Sequence, residues 1–373
     1  MPRPIIISSG DLHNVGDLAL LLQCAYGVRE VMPGRPVLVR QWGAPPADVL
    51  DQLGEHDIGL LPGKDLPGAA SAARGALVMI GGGQMVRDNA SSASLGALAA
   101  MMEIARITGG EAAIVGCGVD RLKRQPHRWL WSRMMRGAAL VTTRDAASHA
   151  EAEALCGSGG RQPVLTADIV FTPSPFAEAL RRSDAGSPTV VVAPCADASE
   201  GREIDAGLVA DAAIRLADQL QVNSVTLASH DARAGMDPDV CARIAAAIRD
   251  KAPTLGVDFV ASYRLSDYTR LYASAAAVIT NRLHSIIFAL LAGKAIVVLD
   301  DGTAKTLAAA KRFEIPVSSA THAMDQAILD GLSAEVRSGA ASGRRDAIDK
   351  ASEAARSNFE RLSVVNKQHF SRP

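Results

Sequence analysis

The strongest chemical signal in the sequence is the segment Thr280-Asn281-Arg282-Leu283-His284-Ser285, which lies between two apolar runs. The run before it is predicted as a buried strand and the run after it as a buried helix. Burying an unpaired charge costs several kcal/mol, so an arginine and a histidine at such a junction need a partner or a ligand. Because Arg282 and His284 are two residues apart on a strand-to-helix turn, both are predicted to face one ligand.

A third basic side chain belongs to the same end of the predicted sheet. The next strand leads into Asp300-Asp301-Gly302-Thr303-Ala304-Lys305, which places Lys305 on the neighbouring connection. The alternative to a ligand site is a structural cluster in which the cations pair with Asp300 or Asp301.

Two polar segments follow strands near the amino terminus. The segment 10–17 carries Asn14 and Asp17 and opens a long predicted helix, whose first N–H groups can hold a ligand hydroxyl or phosphate. Capping of that helix by Asn14 or Asp17 is an equally good interpretation. The loop with Gly82, Gly83 and Gln84 is predicted to face a ligand, because consecutive glycines allow close approach and positive φ.

Two further segments place charge after a strand. In Thr143-Arg144-Asp145 the aspartate is predicted to be a helix N-cap, whereas Arg144 suits a carboxylate or phosphate. A salt bridge across the linker is the alternative for Arg144. His230, in Ser229-His230-Asp231, is a weaker candidate for ligand contact, since a lone histidine beside an aspartate is often surface polarity.

Composition narrows the class of protein. The 373 residues carry 39 basic and 40 acidic side chains, so the net charge of −1 gives no electrostatic basis for nucleic-acid binding. The five cysteines are scattered without a C-x-x-C pair, which predicts free thiols and no structural zinc. Acidic and histidine residues show no metal-site spacing, so no metal and no cofactor are predicted.

The order of elements predicts an α/β protein. Short β-branched runs alternate with Ala/Leu-rich stretches, pause at a proline-containing linker over 172–188, and then resume. This predicts two Rossmann-like, doubly wound domains facing a cleft, over 1–178 and 188–335, with a helical tail over 336–373. Ligands are expected where the carboxyl ends of the strands meet.

The amino terminus runs into Ile5-Ile6-Ile7, which indicates a first strand and not a signal peptide, and a cytoplasmic location is predicted. The segment 124–136 is basic and contains Trp129 and Trp131. One interpretation is peripheral contact with anionic headgroups at the inner membrane surface. The favoured alternative is a helix that packs Trp131 and Met135 on the sheet.

Taken in order, these motifs resemble the polysaccharide pyruvyl transferase family. The resemblance runs from about residue 9 to residue 306 and rests on Asn14-x-Gly16-Asp17, Gly81-Gly82-Gly83, Gly116-Cys117-Gly118, Thr143-Arg144-Asp145, Asp168, Arg282-Leu283-His284 and Lys305. It implies a fold like that of the GT-B glycosyltransferases. It also implies transfer of the enolpyruvyl carbons of phosphoenolpyruvate, the co-substrate, to a saccharide acceptor, commonly as a cyclic ketal.

The resemblance implies a role for each predicted site residue. His284 would be the general acid, and Asp17 would accept the hydroxyl proton or orient the sugar. Donor binding would fall to Arg144, Arg282, Leu283 and Lys305, and acceptor binding to Asn14, Gly82, Gly83, Gln84 and His230. The segments before Asn14 and before Lys305 depart from the family pattern, which leaves the acceptor sugar open. A GT-B-type glycosyltransferase with a nucleotide-sugar donor is the alternative function.

Overall fold

The computed structural model describes residues 3–182, 187–196, 202–339 and 343–370, with side chains up to residue 365. The chain divides into two compact units. Unit 1 comprises residues 1–12, 17–174 and 351–373, and unit 2 comprises residues 13–16 and 175–350.

Unit 1 alternates strands and helices. Its elements are β1 (Ile5–Ser8), α1 (Val15–Val31), β2 (Val37–Gln41), α2 (Ala47–Glu55), β3 (Ile58–Pro62), α3 (Leu66–Ala73), β4 (Leu77–Gly81), α4 (Ser92–Ile107), β5 (Glu111–Cys117), α5 (Gln125–Gly137), β6 (Leu140–Thr143), α6 (Ala146–Cys156) and β7 (Val164–Leu165).

The seven strands of unit 1 form one parallel sheet in the order β3-β2-β1-β4-β5-β6-β7. Both faces of the central strand are covered: Ile6 packs in the cluster that includes Leu98 of α4 and Trp131 of α5, and Ile5 and Ile7 are buried as well. Such two-sided burial explains why these strands are continuous apolar runs without polar alternation.

Unit 2 repeats the pattern. Its elements are α7 (Pro175–Arg181), β8 (Thr189–Ala193), α8 (Ala206–Leu220), β9 (Ser224–Ala228), α9 (Asp237–Lys251), β10 (Gly256–Val260), α10 (Leu265–Ser274), β11 (Ala275–Thr280), α11 (Leu283–Leu291), β12 (Ala295–Asp300), α12 (Ala304–Arg312), β13 (Val317–Ser319) and α13 (Gln326–Ser338). The six strands are parallel and ordered β10-β9-β8-β11-β12-β13.

A last helix, α14 (Arg345–Phe370), carries the chain back, and its residues from 351 onward belong to unit 1. Asn358 is fully buried there and accepts hydrogen bonds from the hydroxyls of Thr142 and Thr166. A buried amide whose oxygen is satisfied in this way fixes the position of the helix against the sheet of unit 1.

Two parallel, doubly wound α/β sheets confirm the predicted fold class. The predicted linker over 172–188 is wrong in part, because α7 forms within it from residue 175, although residues 183–186 lie outside the described part of the chain. In α5, Trp131 and Met135 are buried as predicted, whereas Trp129 is 62% exposed. No described helix is both long and apolar enough to cross a membrane.

Candidate functional site

Arg282 stands between β11 and α11, at the carboxyl end of a central strand of unit 2. Its Nη2 forms an ion pair with Asp237, and its Nε donates to the carbonyl oxygen of Pro194 at 3.3 Å. Only 11% of the Arg282 side chain is exposed, and Asp237 has no exposed side-chain surface. The predicted pairing of the cluster with Asp300 or Asp301 is therefore wrong for Arg282, whose partner is Asp237.

Asp237 begins α9 and serves two partners at once. Besides the guanidinium of Arg282, its carboxylate accepts a hydrogen bond from the backbone N–H of Asp231 at 2.9 Å. Burial raises the pKa of Asp237, and the charge of Arg282 opposes that rise. For Arg282, burial favours a lower pKa, but the Asp237 carboxylate together with Cys195 and Asp231 outweighs burial and raises the pKa further above its ordinary value. The pair is thus a fixed salt bridge that aims the guanidinium.

His284, in the first turn of α11, packs against the backbone at Gly16. A Cβ atom at Gly16 would overlap the imidazole ring, so only glycine fits there. The segment 13–16 is held in unit 2 by an isolated bridge between Asn14 and Asp231 and by a 2.8 Å hydrogen bond from the Val15 N–H to the His230 carbonyl oxygen. His284 therefore has a defined position beside the start of α1.

The side chain of Asn14 caps that start, because its Oδ1 accepts from the Gly16 N–H at 2.8 Å. This confirms the capping interpretation for Asn14. Asp17 does not form the equivalent cap: its Oδ2 accepts from the backbone N–H of Asp11 at 3.0 Å and shapes the loop after β1.

The ring of His230 is buried, with 1% exposure, and lies among aromatic side chains. It stacks on Phe288 at 5.7 Å between ring centroids, and its Nε2 is 2.8 Å from the hydroxyl of Tyr272, which donates to Ser285 Oγ at 2.6 Å. Burial, followed by the charges of Arg282 and His284, holds the pKa of His230 well below its ordinary value. His230 is therefore a neutral group close to Arg282. Because its ring is buried, it supports the neighbouring side chains and is not exposed for contact with an acceptor.

A second network ties the connections after three strands of unit 2. Asn281 bonds Cys195 in both directions at 2.7 Å, with its Oδ1 accepting from N–H and its Nδ2 donating to the carbonyl oxygen. Its Nδ2 also donates to Asp301 Oδ2 at 2.8 Å, and that carboxylate pairs with Arg202 at 2.8 Å. This network fixes the loops that follow β8, β11 and β12. Lys305, the second residue of α12, is half-buried on the connection that begins there.

In unit 1 the predicted residues Gln84 and Arg144 are brought together. Arg144 is buried, donates to Gln84 Oε1, and lies 3.3 Å from carboxylate oxygens of both Asp168 and Asp145. Gln84 in turn donates to Asp120 at 2.7 Å. Arg144 does form salt bridges, but with Asp145 and Asp168 and not across the linker predicted over 172–188, so a donor anion would have to compete with two carboxylates for this guanidinium.

Glycines shape the backbone beside this cluster, and a Cβ atom at Gly118 would overlap the side chain of Gln84. Gly82 and Gly83 both have a φ of 75°, which a side chain would strain, and their loop is bonded to β5 and Gly118 through backbone hydrogen bonds of 2.8 Å. The predicted N-cap at Asp145 is confirmed, since its Oδ1 accepts from the Ser148 N–H at 2.8 Å. After this loop, the carboxylate of Asp88 accepts hydrogen bonds from the backbone N–H groups of Lys123 and Arg124.

The structure thus brings Asn14, His230, Arg282 and His284 together in unit 2, with Leu283 half-buried between the last two. Residues that the sequence interpretation missed are those that hold these four, namely Asp237, Tyr272 and Ser285. Asp237 stands before a proline at a helix start, which sequence reasoning takes only as a helix signal. In the described residues no three His, Cys, Asp or Glu side chains are grouped in a way that suits a metal ion.

Comparison with known proteins gives a family and a fold. The sequence model described as "Polysaccharide pyruvyl transferase" matches residues 47–302, which is more than half of the chain. The match includes Gln84, Arg144, His230 and Arg282 to His284, but not Asn14, Asp17 or Lys305. No curated protein matches the chain significantly.

Solved structures similar to this chain include several UDP-GlcNAc 2-epimerases. The enzyme from Neisseria meningitidis bound to UDP-GlcNAc has a TM-score of 0.62 and 12% identity, covering 97% of this chain and 99% of that one. MnaA of S. aureus with UDP has a TM-score of 0.55 and 11% identity, over 99% of this chain and 96% of its own. The epimerase from Rickettsia bellii has a TM-score of 0.52 and 10% identity, with coverages of 100% and 99%. At these identities the likeness shows a GT-B-like fold alone.

Proposed function

Since the chain belongs to the polysaccharide pyruvyl transferase family, and is therefore a transferase, we propose that it moves the enolpyruvyl carbons of phosphoenolpyruvate onto a sugar. The acceptor is a sugar of a polysaccharide or of a lipid-linked saccharide, and the product is a pyruvate ketal across two of its hydroxyls.

The observation that supports this proposal is the pairing of a fixed cation with an imidazole at one strand end of unit 2. Arg282 is aimed by Asp237 and the Pro194 carbonyl, and His284 is seated against Gly16 two residues later. Phosphoenolpyruvate carries a phosphate and a carboxylate on a small rigid frame, so its binding needs cations at set positions. Arg282 suits one anionic group of the donor, and Lys305, on the neighbouring connection, suits the other.

The chemistry requires a proton donor beside the donor's methylene carbon. Protonation of that carbon makes the methyl group and leaves an oxocarbenium-like centre at C2, which a sugar hydroxyl attacks. The C2–O bond to phosphate then breaks, and a second hydroxyl closes the ketal. One hydroxyl proton replaces the proton given to carbon, and the other leaves with phosphate.

An imidazole serves this step because it can be protonated and deprotonated near neutral pH. We assign the general acid to His284. The buried, neutral ring of His230 is close by. It is hydrogen-bonded to Tyr272, which donates to Ser285, the residue after His284. Asp17 follows Gly16 directly, and we propose that it accepts the hydroxyl proton or orients the sugar.

The alternative, a glycosyltransferase with a nucleotide-sugar donor, would use the same fold and place a diphosphate at Arg282. A titration of the thermal midpoint separates the two, because a ligand at 100 times its Kd stabilises the folded state by about 2.7 kcal/mol. Phosphoenolpyruvate should raise the midpoint of the wild type, and UDP-GlcNAc and other UDP-sugars should not.

A matched variant is Lys305→Ala. Without ligand it should retain the wild-type thermal midpoint, and it should need higher phosphoenolpyruvate concentrations for the same rise in that midpoint. A response to UDP-sugars with none to phosphoenolpyruvate would overturn the proposed donor in favour of the nucleotide-sugar alternative.

A further inference from the structure

A third buried arginine, Arg40, occupies the carboxyl end of β2 in unit 1 and takes no part in the clusters described above. It is 3% exposed and pairs in register with Ser8 of β1 and with Leu61 of β3. Like Arg144 and Arg282, it lies where parallel strands of a doubly wound sheet end, the edge at which ligands bind in such folds.

Arg40 differs from those two arginines in its partners. Its Nη2 donates to the carbonyl oxygen of Ser94 at 3.2 Å, and its guanidinium lies 5.4 Å from the centroid of the Trp42 ring. Its Nε is buried without a hydrogen-bond partner. Within the described ranges, no carboxylate lies within ion-pair distance of Arg40.

An arginine in this state is costly. A buried charge needs a counter-charge and hydrogen bonds to offset its lost hydration, and Arg40 has one carbonyl and one aromatic face. Burial accordingly lowers the pKa of Arg40, and no neighbouring charge opposes that effect. The folded chain therefore retains a cation whose missing partner would be an anion.

The hydrogen bond to Ser94 brings this cation to the amino-terminal turn of α4. That helix has 16 residues, so its dipole and its first N–H groups favour a negative charge at this end. Ser91, Ser92 and Ala93 of this turn are exposed, and Trp42 is only half-buried, so the helix end is open to solvent. Helix end and buried guanidinium thus favour the same class of ligand.

We propose that Arg40 and the first turn of α4 form a subsite for one anionic group, a phosphate or a carboxylate, of the saccharide acceptor. The assignment to the acceptor rests on the proposed function, in which unit 2 binds the donor; the binding of an anion does not. The family match begins at residue 47, so Arg40 lies outside it.

The test measures anion binding without phosphoenolpyruvate. At constant ionic strength, the thermal midpoint is followed while chloride is replaced by inorganic phosphate, glucose 1-phosphate or glucuronate, with glucose as the neutral probe. The wild type should be stabilised by anions and not by glucose. Glucose 1-phosphate exceeding glucuronate indicates a phosphate on the acceptor, and the reverse order indicates a uronate.

Two variants decide whether Arg40 is the anion's partner. Arg40→Met keeps the length of the side chain without its charge and should lower the affinity for the anions by about 10-fold or more. The anion response that remains belongs to the proposed donor site and should fall further when Lys305→Ala is added. The midpoint of Arg40→Met without anion should equal or exceed that of the wild type, because an unpaired buried charge has been removed. Arg35→Met is the matched control: Arg35 precedes the same strand at its other end and bonds backbone carbonyls of Arg3 and Pro4.

An anion affinity that is unchanged in Arg40→Met, or an anion response that is absent from the wild type, would overturn the subsite. If Arg40→Met does not fold, Arg40→Lys and isothermal titration of the wild type with glucose 1-phosphate replace it, and an unchanged affinity in Arg40→Lys contradicts recognition by the guanidinium fork. Failure of the proposed function looks different, since anions would still bind while phosphoenolpyruvate transfer would be missing.

Discussion

Arg144 in unit 1 and Arg282 in unit 2 look alike in sequence, since each follows an apolar strand and precedes a helix, but their surroundings differ. Arg144 lies between two carboxylates, those of Asp145 and Asp168, and an amide, so its immediate cluster carries an excess negative charge. Arg282 has a single carboxylate partner, Asp237, so its pair is neutral. A guanidinium with two carboxylate partners repels a further anion, whereas a neutral pair beside a histidine does not.

The difference teaches where a doubly anionic donor is expected. The guanidinium of Arg144 already has two carboxylate partners. It holds the glycine loop and the strand ends of unit 1 in place, as its contact with Gln84 indicates. Arg282, the corresponding cation of unit 2, has only Asp237 as a carboxylate partner. Arg144 stays a predicted donor-binding residue, but this comparison ranks it below Arg282.

The largest effect on activity is expected from substitution of His284. If that effect were absent, the argument that the Arg282 cluster is the reacting site would fail. In His284→Gln, kcat should fall by about 10²–10⁴, the range for a lost general acid, while donor affinity changes little. If His284 only binds the carboxylate, Gln can still donate a hydrogen bond, and KM should rise with kcat nearly unchanged. Single-turnover rates and donor titration on the same variant distinguish these results.

The comparison variant for His284→Gln is Asp17→Asn, at the residue that follows Gly16 and belongs to unit 1. Wild-type product made in deuterated water should contain deuterium in its methyl group, and so should the residual product of both variants. Near-normal single-turnover chemistry in His284→Gln would remove His284 from the role of acid and direct attention to Asp17.

A matched pair of substitutions compares the two arginines directly. Arg282→Lys keeps a positive charge opposite Asp237 but loses the planar fork, so phosphoenolpyruvate affinity should fall by about 10-fold or more, for a lost contact of about 1.5–3 kcal/mol. Arg144→Lys should change donor affinity less, because its fork is engaged by Asp145, Asp168 and Gln84. Titration calorimetry gives both values, and equal losses would show that the two units share the donor.

How far the sequence predicts this comparison depends on which residues are close along the chain. The strand-helix junction at Arg282 was predictable because the runs on both sides of it are apolar, and the predicted buried strand and buried helix are β11 and α11 in the structure. The cap at Asp145 was predictable for the same reason: its partner, Ser148, is three residues away.

Partners that are distant in sequence were not predictable. Asp237 is 45 residues from Arg282, on the connection after a different strand, and nothing in its own segment marks it as a counter-ion. His230 looked like surface polarity beside an aspartate, yet Tyr268, Tyr272 and Phe288 from α10 and α11 enclose it. A single sequence gives the ends of strands better than it gives which side chains meet there.

The pH dependence of stability tests the environment of His230 beneath Arg282. Its folded-state pKa is depressed, mainly by burial, so its contribution to stability is complete above the unfolded pKa of about 6.5 and is lost as the pH falls. One such group changes the free energy of unfolding by at most about 1.4 kcal/mol per pH unit. Urea unfolding of the wild type between pH 7 and pH 5 should therefore show a steeper loss than that of His230→Gln.

Identical slopes for the wild type and His230→Gln would mean that folding leaves the pKa of His230 unshifted, which contradicts its burial as a neutral group in the Arg282 cluster.

The smallest effect concerns charge on the outside of unit 1, where α5 exposes Trp129 together with Arg124, Arg133 and Arg136. If this face rests on anionic headgroups, anionic vesicles should sediment the protein at low salt, each arginine contributing about 1 kcal/mol near the surface. Salt of about 0.1 M reduces the Debye length to about 10 Å and should release the protein. Trp129→Ala combined with Arg133→Glu should abolish sedimentation, whereas Arg337→Glu on α13 of unit 2 should not.

Because Arg133 lies 3.5 Å from Glu103, part of its charge is already offset, which is why the expected attraction is weak. Wild-type protein that stays in the supernatant with anionic vesicles at low salt would leave α5 with packing as its only role, through buried Trp131 and Met135.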